Sequence, residues 1–324
     1  MSSSAALLLR PVTVTVPATS ANLGPGFDCL GLALELRNEL VLHATGPVLT
    51  DDAAETEYSI SVSGLDADKV PADSQNLAVE AAELLFTRIG CRPAALAMRM
   101  TNGIPVGSGL GSSSSAIIAG LLGANAIFDN PIPRNELLRM AVDIEGHPDN
   151  VAPALLGGLV LGVLPDDEIG PNELIVRQWD PPDLSAVVVL PDFKLLTSEA
   201  RAVLPPSVSR GDAIFNVSRL GLLIHALTTS DYPLLRSAMG DRLHQSYRLQ
   251  IIPGAAEAYK AAYEAGALGV ALSGAGPSLI AFCVNSQTAI IEAMQHAFAA
   301  AGMPSRSWAL HPTAQGACVV CDEG

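Results

Sequence analysis

The stretch GIPVGSGLGSSSSA at 103–116 sets four glycines and five serines within fourteen positions and runs into the apolar segment AIIAGLLGANAIF. Glycines let a backbone turn tightly and present bare N–H groups, and serines at a helix start add hydroxyls to its unsatisfied first-turn amides. Such a loop attracts anions. Three familiar motifs are excluded by spacing. A P-loop requires lysine and Ser or Thr after its last glycine, and the three lysines, Lys69, Lys194 and Lys260, lie elsewhere in the chain. A dinucleotide fingerprint requires G-x-G-x-x-G, whereas Gly107, Gly109 and Gly111 make G-x-G-x-G. An esterase elbow, G-x-S-x-G, needs glycine where Val106 stands. A polyphosphate held without lysine has to be neutralised by a helix dipole, by distant arginines or by a metal ion, and a serine hydroxyl plus a carboxylate suits magnesium. The plainer alternative is a Gly/Ser turn that only caps a helix.

Two further segments decide between these readings: PATSANLGPGFD at 17–28 and LSGAGPS at 272–278. Together with the glycine loop they resemble the three motifs of the GHMP small-molecule kinases. The longer first stretch, PATSANLGPGFDCLGLAL, resembles the homoserine kinase branch and not the sugar or mevalonate branches. EGHPDNVAPALLGGL at 145–159, TSEAR at 197–201 and DRLHQSYRLQIIPG at 241–254 resemble the same branch in the same order. The likeness extends from about residue 11 to about 285.

The resemblance implies an α+β chain with the GHMP kinase fold: an N-terminal domain like the second domain of ribosomal protein S5 at 1–168, a ferredoxin-like C-terminal domain at 169–324, and the active site between them. It implies transfer of the ATP γ-phosphate to the side-chain hydroxyl of L-homoserine, giving O-phospho-L-homoserine and ADP in threonine biosynthesis, with ATP and Mg²⁺ required. The loop residues Pro105, Val106, Gly107, Ser108, Gly109, Leu110, Gly111, Ser112, Ser113 and Ser114 are implied to wrap the ATP phosphates, with Gly274 and Gly276 buttressing them. Ser113 and Glu145 are implied metal ligands; Ser112 competes with Ser113, and Asp143 with Glu145. Asn76 matches a position near the adenine and is equally readable as a helix cap. For the amino-acid substrate the resemblance implies Asn22, Asp28, His147, Asp149, Asn150, Thr197, Arg201 and Arg248, the arginines taking the carboxylate through their planar forks. Asp28 would bond the reacting hydroxyl, and Asn150 stands where related kinases place an aspartate, so Asp28, Asn150 and Glu145 form the expected catalytic set. A homodimer is implied by resemblance alone.

The duller readings are specific. His147 between Gly146 and Pro148 reads as a loop histidine, Asp149 as a cap for NVAPALL, Arg201 and Arg248 as exposed helix arginines, and Asn22 and Asp28 as turn formers around Gly24-Pro25-Gly26. Two rival functions remain from the residues: a sister kinase for another small hydroxy compound, and a nucleotide-binding module without turnover.

The elements that must position these groups follow from periodicity. PVTVTV at 11–16 alternates as a strand ended by Pro17, with a loop at 17–29 and a second strand in LELRNELVLH. Helical spacing runs through 76–89, 112–128, 134–145 and 288–301, and a helix-rich block spans 210–265. ALAMRM, GGLVLGVL, LSAVVVL, GALGVALSG and SLIAFCV read as strands, with a final strand pair at the C-terminus. The acidic segment LPDDEIGPNEL marks the expected domain boundary. The loose mixture of strands and helices favours α+β over a regular doubly wound sheet.

Composition bounds the rest. A chain of 324 residues with 49% hydrophobic content can bury two cores. A net charge of −15 argues against sequence-independent nucleic-acid binding and against an anionic membrane surface, while an anionic ligand needs only a local field. Five scattered cysteines without a secretory leader point to a cytoplasmic protein with no disulfide framework. Cys318-Val319-Val320-Cys321 is a lone C-x-x-C without a second pair, a weak sign of zinc or redox chemistry.

Overall fold

In the computed structural model, residues 7–50, 55–166 and 173–321 are described. The first half runs β1 (Val12–Asn22), β2 (Gly26–Leu49), β3 (Glu57–Gly64), α1 (Leu77–Ile89), β4 (Arg92–Asn102), α2 (Ser112–Ala126), α3 (Arg134–Glu145), α4 (Pro148–Leu156), β5 (Leu159–Val163) and β6 (Ile175–Trp179). The second runs β7 (Ser185–Pro191), α5 (Thr197–Ala202), α6 (Arg210–Thr229), α7 (Leu235–Ala238), α8 (Gln245–Ile251), α9 (Ala255–Glu264), β8 (Gly269–Leu272), β9 (Leu279–Cys283), α10 (Gln287–Ala300), β10 (Ser305–Leu310) and β11 (Cys318–Cys321). The mixture is α+β, as read from the sequence.

A seven-stranded sheet follows the order β11-β1-β2-β4-β3, with β5 on β2 and β6 on β5. All its pairs are antiparallel except β3 with β4, which α1 connects. Alternation in β1 and β2 turns Val12, Val14, Val16, Leu40, Leu42 and Ala44 onto one buried face. That face packs on α1 to α4. Helix α2 is apolar almost all round, with Ile117, Ile118, Leu121 and Leu122 all buried, so it lies inside the layer and not on its surface. The second sheet, in the order β10-β7-β9-β8, is antiparallel throughout. Its strands stand fourth, first, third, second in chain order, the ferredoxin-like arrangement. Helices α9 and α10 cover one face, and α6 and α7 fill the space between the other face and the first sheet.

Three expectations change. Strand β1 does not stop at Pro17: it continues through a register shift at Pro17/Ala18 to Asn22, and the expected loop at 17–29 is a hairpin turning at 23–25. Residues 18–22 are small or polar and buried on both sides, which erases the alternation that marks a half-buried strand. The final strands do not pair with each other. Strand β10 joins β7, while β11 crosses to the edge of the first sheet beside β1; periodicity announces a strand without naming its partner. The boundary expected at 168 lies outside the described residues, and strands β6 and β11, both beyond it, belong to the first sheet. No helix among the described residues is long and apolar enough to cross a membrane.

Candidate functional site

A cavity of about 480 Å³ opens between the two sheets. The glycine loop forms one wall. It leaves β4 with Gly107, Gly109 and Gly111 at φ 66°, 78° and 71°, and Gly111 is the residue before α2. The loop's shape is held from three directions. Ser108 Oγ donates to the Pro105 carbonyl at 2.7 Å and accepts from Leu110 N at 3.2 Å. Thr19 N donates to Leu110 O at 3.0 Å, and Ser273 Oγ donates to Gly109 O at 2.7 Å. A Cβ on Gly109 would stand 2.2 Å from Ser273 O, and one on Gly111 would stand 2.0 Å from Thr19 Oγ1. These two glycines are therefore required by close approach as well as by φ. Beyond them the first-turn amides of α2 have no intrahelical acceptors and lie at the cavity.

Ser112 and Ser113 both line the cavity, Ser112 half-buried and Ser113 exposed. Ser114 turns inward and donates to Glu145 Oε1 at 3.0 Å. Burial pushes the Glu145 carboxyl above its ordinary range, partly offset by His147 and the Ser114 hydrogen bond. Glu145 has no ion-pair partner among the described residues. Asp143, its rival in sequence, is exposed and lines a separate depression on α3.

The opposite wall is built from side chains. Asn22 and Asp28 both have positive φ, 69° and 58°. Asn22 Oδ1 accepts from Asp28 N at 2.9 Å, and its Nδ2 donates to Gly274 O at 2.8 Å, tying the first motif to the third. Arg201 Nη1 and Nη2 each donate to Asp28 at 2.8 Å, a fork-to-carboxylate pair across the cavity mouth. Asp149, 2% exposed, is hydrogen-bonded by His147 Nδ1. Burial alone would lower the His147 pKa, but the Asp149, Glu145 and Asp28 carboxylates outweigh it and raise it. Ligand atoms of Asp28, His147 and Asp149 lie within 4.8 Å of one another. With both oxygens of Asp28 held by Arg201, this set suits an ammonium group better than a metal ion. Thr19 Oγ1 donates to Asn150 Oδ1 at 2.7 Å, leaving the Asn150 amide N–H groups available.

Arg248 is 1% exposed. Its Nε donates to Ala200 O at 3.1 Å and its Nη1 to Gly274 O at 3.4 Å. Burial, with Arg201 nearby, brings its guanidinium down to about 10, still fully charged at neutral pH. The reading of Arg248 as an exposed helix arginine is overturned: α8 is pressed against the site, and its guanidinium faces the Phe27 ring at 5.1 Å, with Arg201 at 5.7 Å.

Other readings sharpen in the same way. Asn76 does cap α1, accepting from Ala78 N at 2.9 Å, and the same buried side chain also lines the cavity. Asp149 is not a cap; His147 precedes α4 and Asp149 sits within its first turn. Thr197 opens α5 at the rim. Of the expected site residues only Pro105, Leu110 and Ser114 lie behind the cavity wall; Gly274 and Gly276 reach it.

Four contributors escaped the sequence analysis. Asn38 lines the cavity and its Oδ1 accepts from Gly103 N and Ile104 N, both at 2.9 Å, anchoring the start of the loop. A signal existed, because Asn38 shares the inward phase of Leu40 and Leu42. Asp66 accepts from Val106 N at 3.1 Å and from Arg306 at 3.0 Å, so a residue of the first half grips both the loop and β10. Lys69, paired with Asp66 at 3.1 Å, supplies a cation to the cavity wall that the loop itself lacks. Thr19 orients Asn150. The last three are brought in by chain reversal, and local spacing carries no trace of it.

Comparison with known proteins agrees with this geometry. The family described as GHMP kinases N terminal domain matches residues 76–158, and GHMP kinases C terminal matches 223–300. The chain is 44% identical over 308 residues to a homoserine kinase of Moorella thermoacetica, covering 95% of this chain and 99% of that one. It is 44% identical over 291 residues to a homoserine kinase of Crocosphaera subtropica, covering 90% and 91%. Its structure resembles the crystal structure of homoserine kinase from Cytophaga hutchinsonii, with TM-score 0.81, 29% identity and 99% of each chain covered. The mevalonate kinase of L. major, in complex with R-mevalonate, shares the fold at TM-score 0.65 and 16% identity.

Proposed function

We infer that this chain, which belongs to the GHMP kinases and among them to the homoserine kinases, transfers the γ-phosphate of ATP to the side-chain hydroxyl of L-homoserine, giving O-phospho-L-homoserine and ADP for threonine biosynthesis. The observation that carries this reading is the pairing, in one cavity, of an amide-lined glycine loop with an arginine pair and a carboxylate cluster. The first suits a polyphosphate and the second an amino acid.

Phosphoryl transfer is mostly positioning and charge stabilisation. The nucleotide base lies at the apolar end formed by Val70, Pro71, Leu77 and Met100, and the phosphates lie along Gly107 to Ser113. The substrate carboxylate is taken by Arg248 and Arg201, and its ammonium by Asp149 and Asp28. Asp28 also accepts a hydrogen bond from the reacting hydroxyl. A hydroxyl attacking a well-activated phosphoryl group loses its proton late, so Asp28, held by Arg201, orients the nucleophile and does not deprotonate it in advance. Asn150, its oxygen turned toward Thr19, offers its amide N–H groups as donors, and they steady charge on the transferring group.

The donors that would hold Mg²⁺ are the Ser113 or Ser112 hydroxyl and Glu145. They fit it: oxygen donors only, with a half-buried carboxylate that forms no ion pair among the described residues. Bound there, the ion would neutralise phosphate charge. A homodimer in the cytoplasm completes the reading, and sedimentation of the purified chain checks the dimer.

The test is phosphorus NMR of the product formed from ATP, Mg²⁺ and L-homoserine, with L-serine alongside. An O-phospho amino acid from homoserine, and kcat/KM for serine lower by at least about 100-fold because its hydroxyl stops one carbon short, is the expected result. ATP binding with no phospho product would instead make the chain a sister kinase or a non-catalytic nucleotide module.

A further inference from the structure

Beneath the arginine pair lies a buried histidine that the proposed reaction does not use. His244 is 0% exposed and precedes α8, the helix that carries Arg248. Its ring stacks on Phe27, with centroids 4.8 Å apart and planes at 16°. Its Nε2 lies 2.8 Å from Gly24 O, and its Nδ1 lies 3.2 Å from Arg248 Nη1. A carbonyl can only accept and a guanidinium can only donate. The two contacts therefore dictate one state of the ring: a neutral imidazole with hydrogen on Nε2 and a bare lone pair on Nδ1.

The consequence for Arg248 is geometric. Its Nε is engaged by Ala200 O, and its Nη1 by His244 and Gly274 O. Its Nη2 has no hydrogen-bond partner among the described residues, and the side chain reaches the cavity. We propose that His244 is a positioning residue for the substrate carboxylate: by accepting from Nη1 it rotates the Arg248 guanidinium so that the Nη2 end faces the amino-acid site. The same ring touches the first motif only at Gly24 O and Phe27, whereas Asp28 is held separately by Asn22 and Arg201, so the support it gives acts on the carboxylate end of the site.

The support is itself braced. Asp241 Oδ2 accepts from His244 N at 2.9 Å and Gln245 N at 2.7 Å, and its Oδ1 accepts from Leu243 N at 3.1 Å and Asn216 Nδ2 at 2.6 Å. Its carboxylate stands 3.7 Å from His244 Nε2, outside hydrogen-bond range. It therefore acts on the backbone of the turn and leaves the ring to Gly24 and Arg248. Burial drives the His244 pKa down and the Arg248 charge adds to the fall, while Asp241, the Gly24 carbonyl and Asp28 only partly oppose it, so the neutral state is also the electrostatically favoured one.

This inference rests on the reading of Arg248 as the carboxylate ligand, which Arg248→Ala tests by itself: its loss should be large on homoserine and small on 3-amino-1-propanol. The residue is tested by His244→Leu and His244→Asn, the asparagine keeping an acceptor near the Nδ1 position. The expected result is a rise of about tenfold or more in KM for homoserine in the leucine variant, the cost of losing a hydrogen bond to a charged group. KM for ATP should be unchanged, and the asparagine variant should recover most of the loss. With 3-amino-1-propanol, an acceptor lacking the carboxylate, wild type and leucine variant should show equal kcat/KM. An equal loss on that amino alcohol, a parallel rise in KM for ATP, or no change at all would overturn the proposal. Should the leucine variant not fold, nitrogen-15 NMR of the wild-type histidines decides independently of any substrate. An Nε2–H neutral tautomer at pH 7.5 is expected from the two contacts; an imidazolium or an Nδ1–H tautomer at that pH refutes it.

Discussion

The two walls of the cavity are made of different materials. The glycine-loop wall is largely backbone: amides of a helix start and three glycines at positive φ, with serine hydroxyls as the principal side chains. The opposite wall is side chain throughout, with Asp28, His147, Asp149, Arg201 and Arg248 arriving from β2, α4, α5 and α8 and from the residue preceding α4. A polyphosphate is much the same in every ATP, so a fixed amide cradle serves it. A small amino acid has to be distinguished from its analogues, and that requires charged groups at set separations, each held by a neighbour. The difference teaches where substitutions should separate binding from transfer.

The largest effect is expected from Arg248→Ala. Removing a buried cation strands the acceptors around it and deletes the carboxylate contact, so kcat/KM for homoserine should fall about 1,000-fold. KM for ATP should stay within about twofold, and an equal rise for both substrates would break the division between the walls. Gly111→Ala attacks the other wall. Its Cβ would meet Thr19 Oγ1, and displacement of the loop by a fraction of an ångström should lower kcat/KM for ATP about 100-fold, with homoserine binding, read by calorimetry, preserved. Asp28→Asn should cost about tenfold in kcat, less than the 100-fold or more of a true general base, because the amide still orients the hydroxyl. A loss beyond about 1,000-fold would return Asp28 to that role.

The smallest effect concerns stability, and its sign is opposite. Glu145 has a folded-state pKa raised by burial, so protons bind the folded chain more tightly than the unfolded one. Its ionisation then costs stability as pH climbs from the ordinary carboxylate value through the raised one, and the cost is present in full above that. Glu145→Gln should therefore raise Tm at pH 7 in the absence of metal by a degree or two, about 0.5 kcal/mol. The gain should vanish below pH 4, and Mg²⁺ should stabilise the wild type alone. A lower Tm at pH 7 would show that Glu145 is held for packing.

The backbone wall was largely legible in the sequence, since glycine and serine at fixed offsets before an apolar helix state their own geometry. The side-chain wall was legible only through likeness to a family. From the residues alone, Arg248 read as exposed, Asp149 as a cap and residues 17–29 as a loop. Each of these errors has one cause. Burial by a partner distant in the chain changes what a residue does without changing its local pattern, as β8, α8 and the loop at 272–278 do to β1 and the hairpin.

What the sequence by itself determined is local: the helices, the alternating strands, the anion-binding loop and the absence of a lysine within it. What only the tertiary structure decided is the company each charge keeps. Arg201 meets Asp28 from 173 residues away, Lys69 and Asp66 join the loop, and His244 takes the single protonation state that Gly24 and Arg248 allow. Backbone conformation is governed by neighbours a few residues apart, whereas the energy of a buried charge is governed by whatever replaces its water, and that is settled only when the two sheets close on each other.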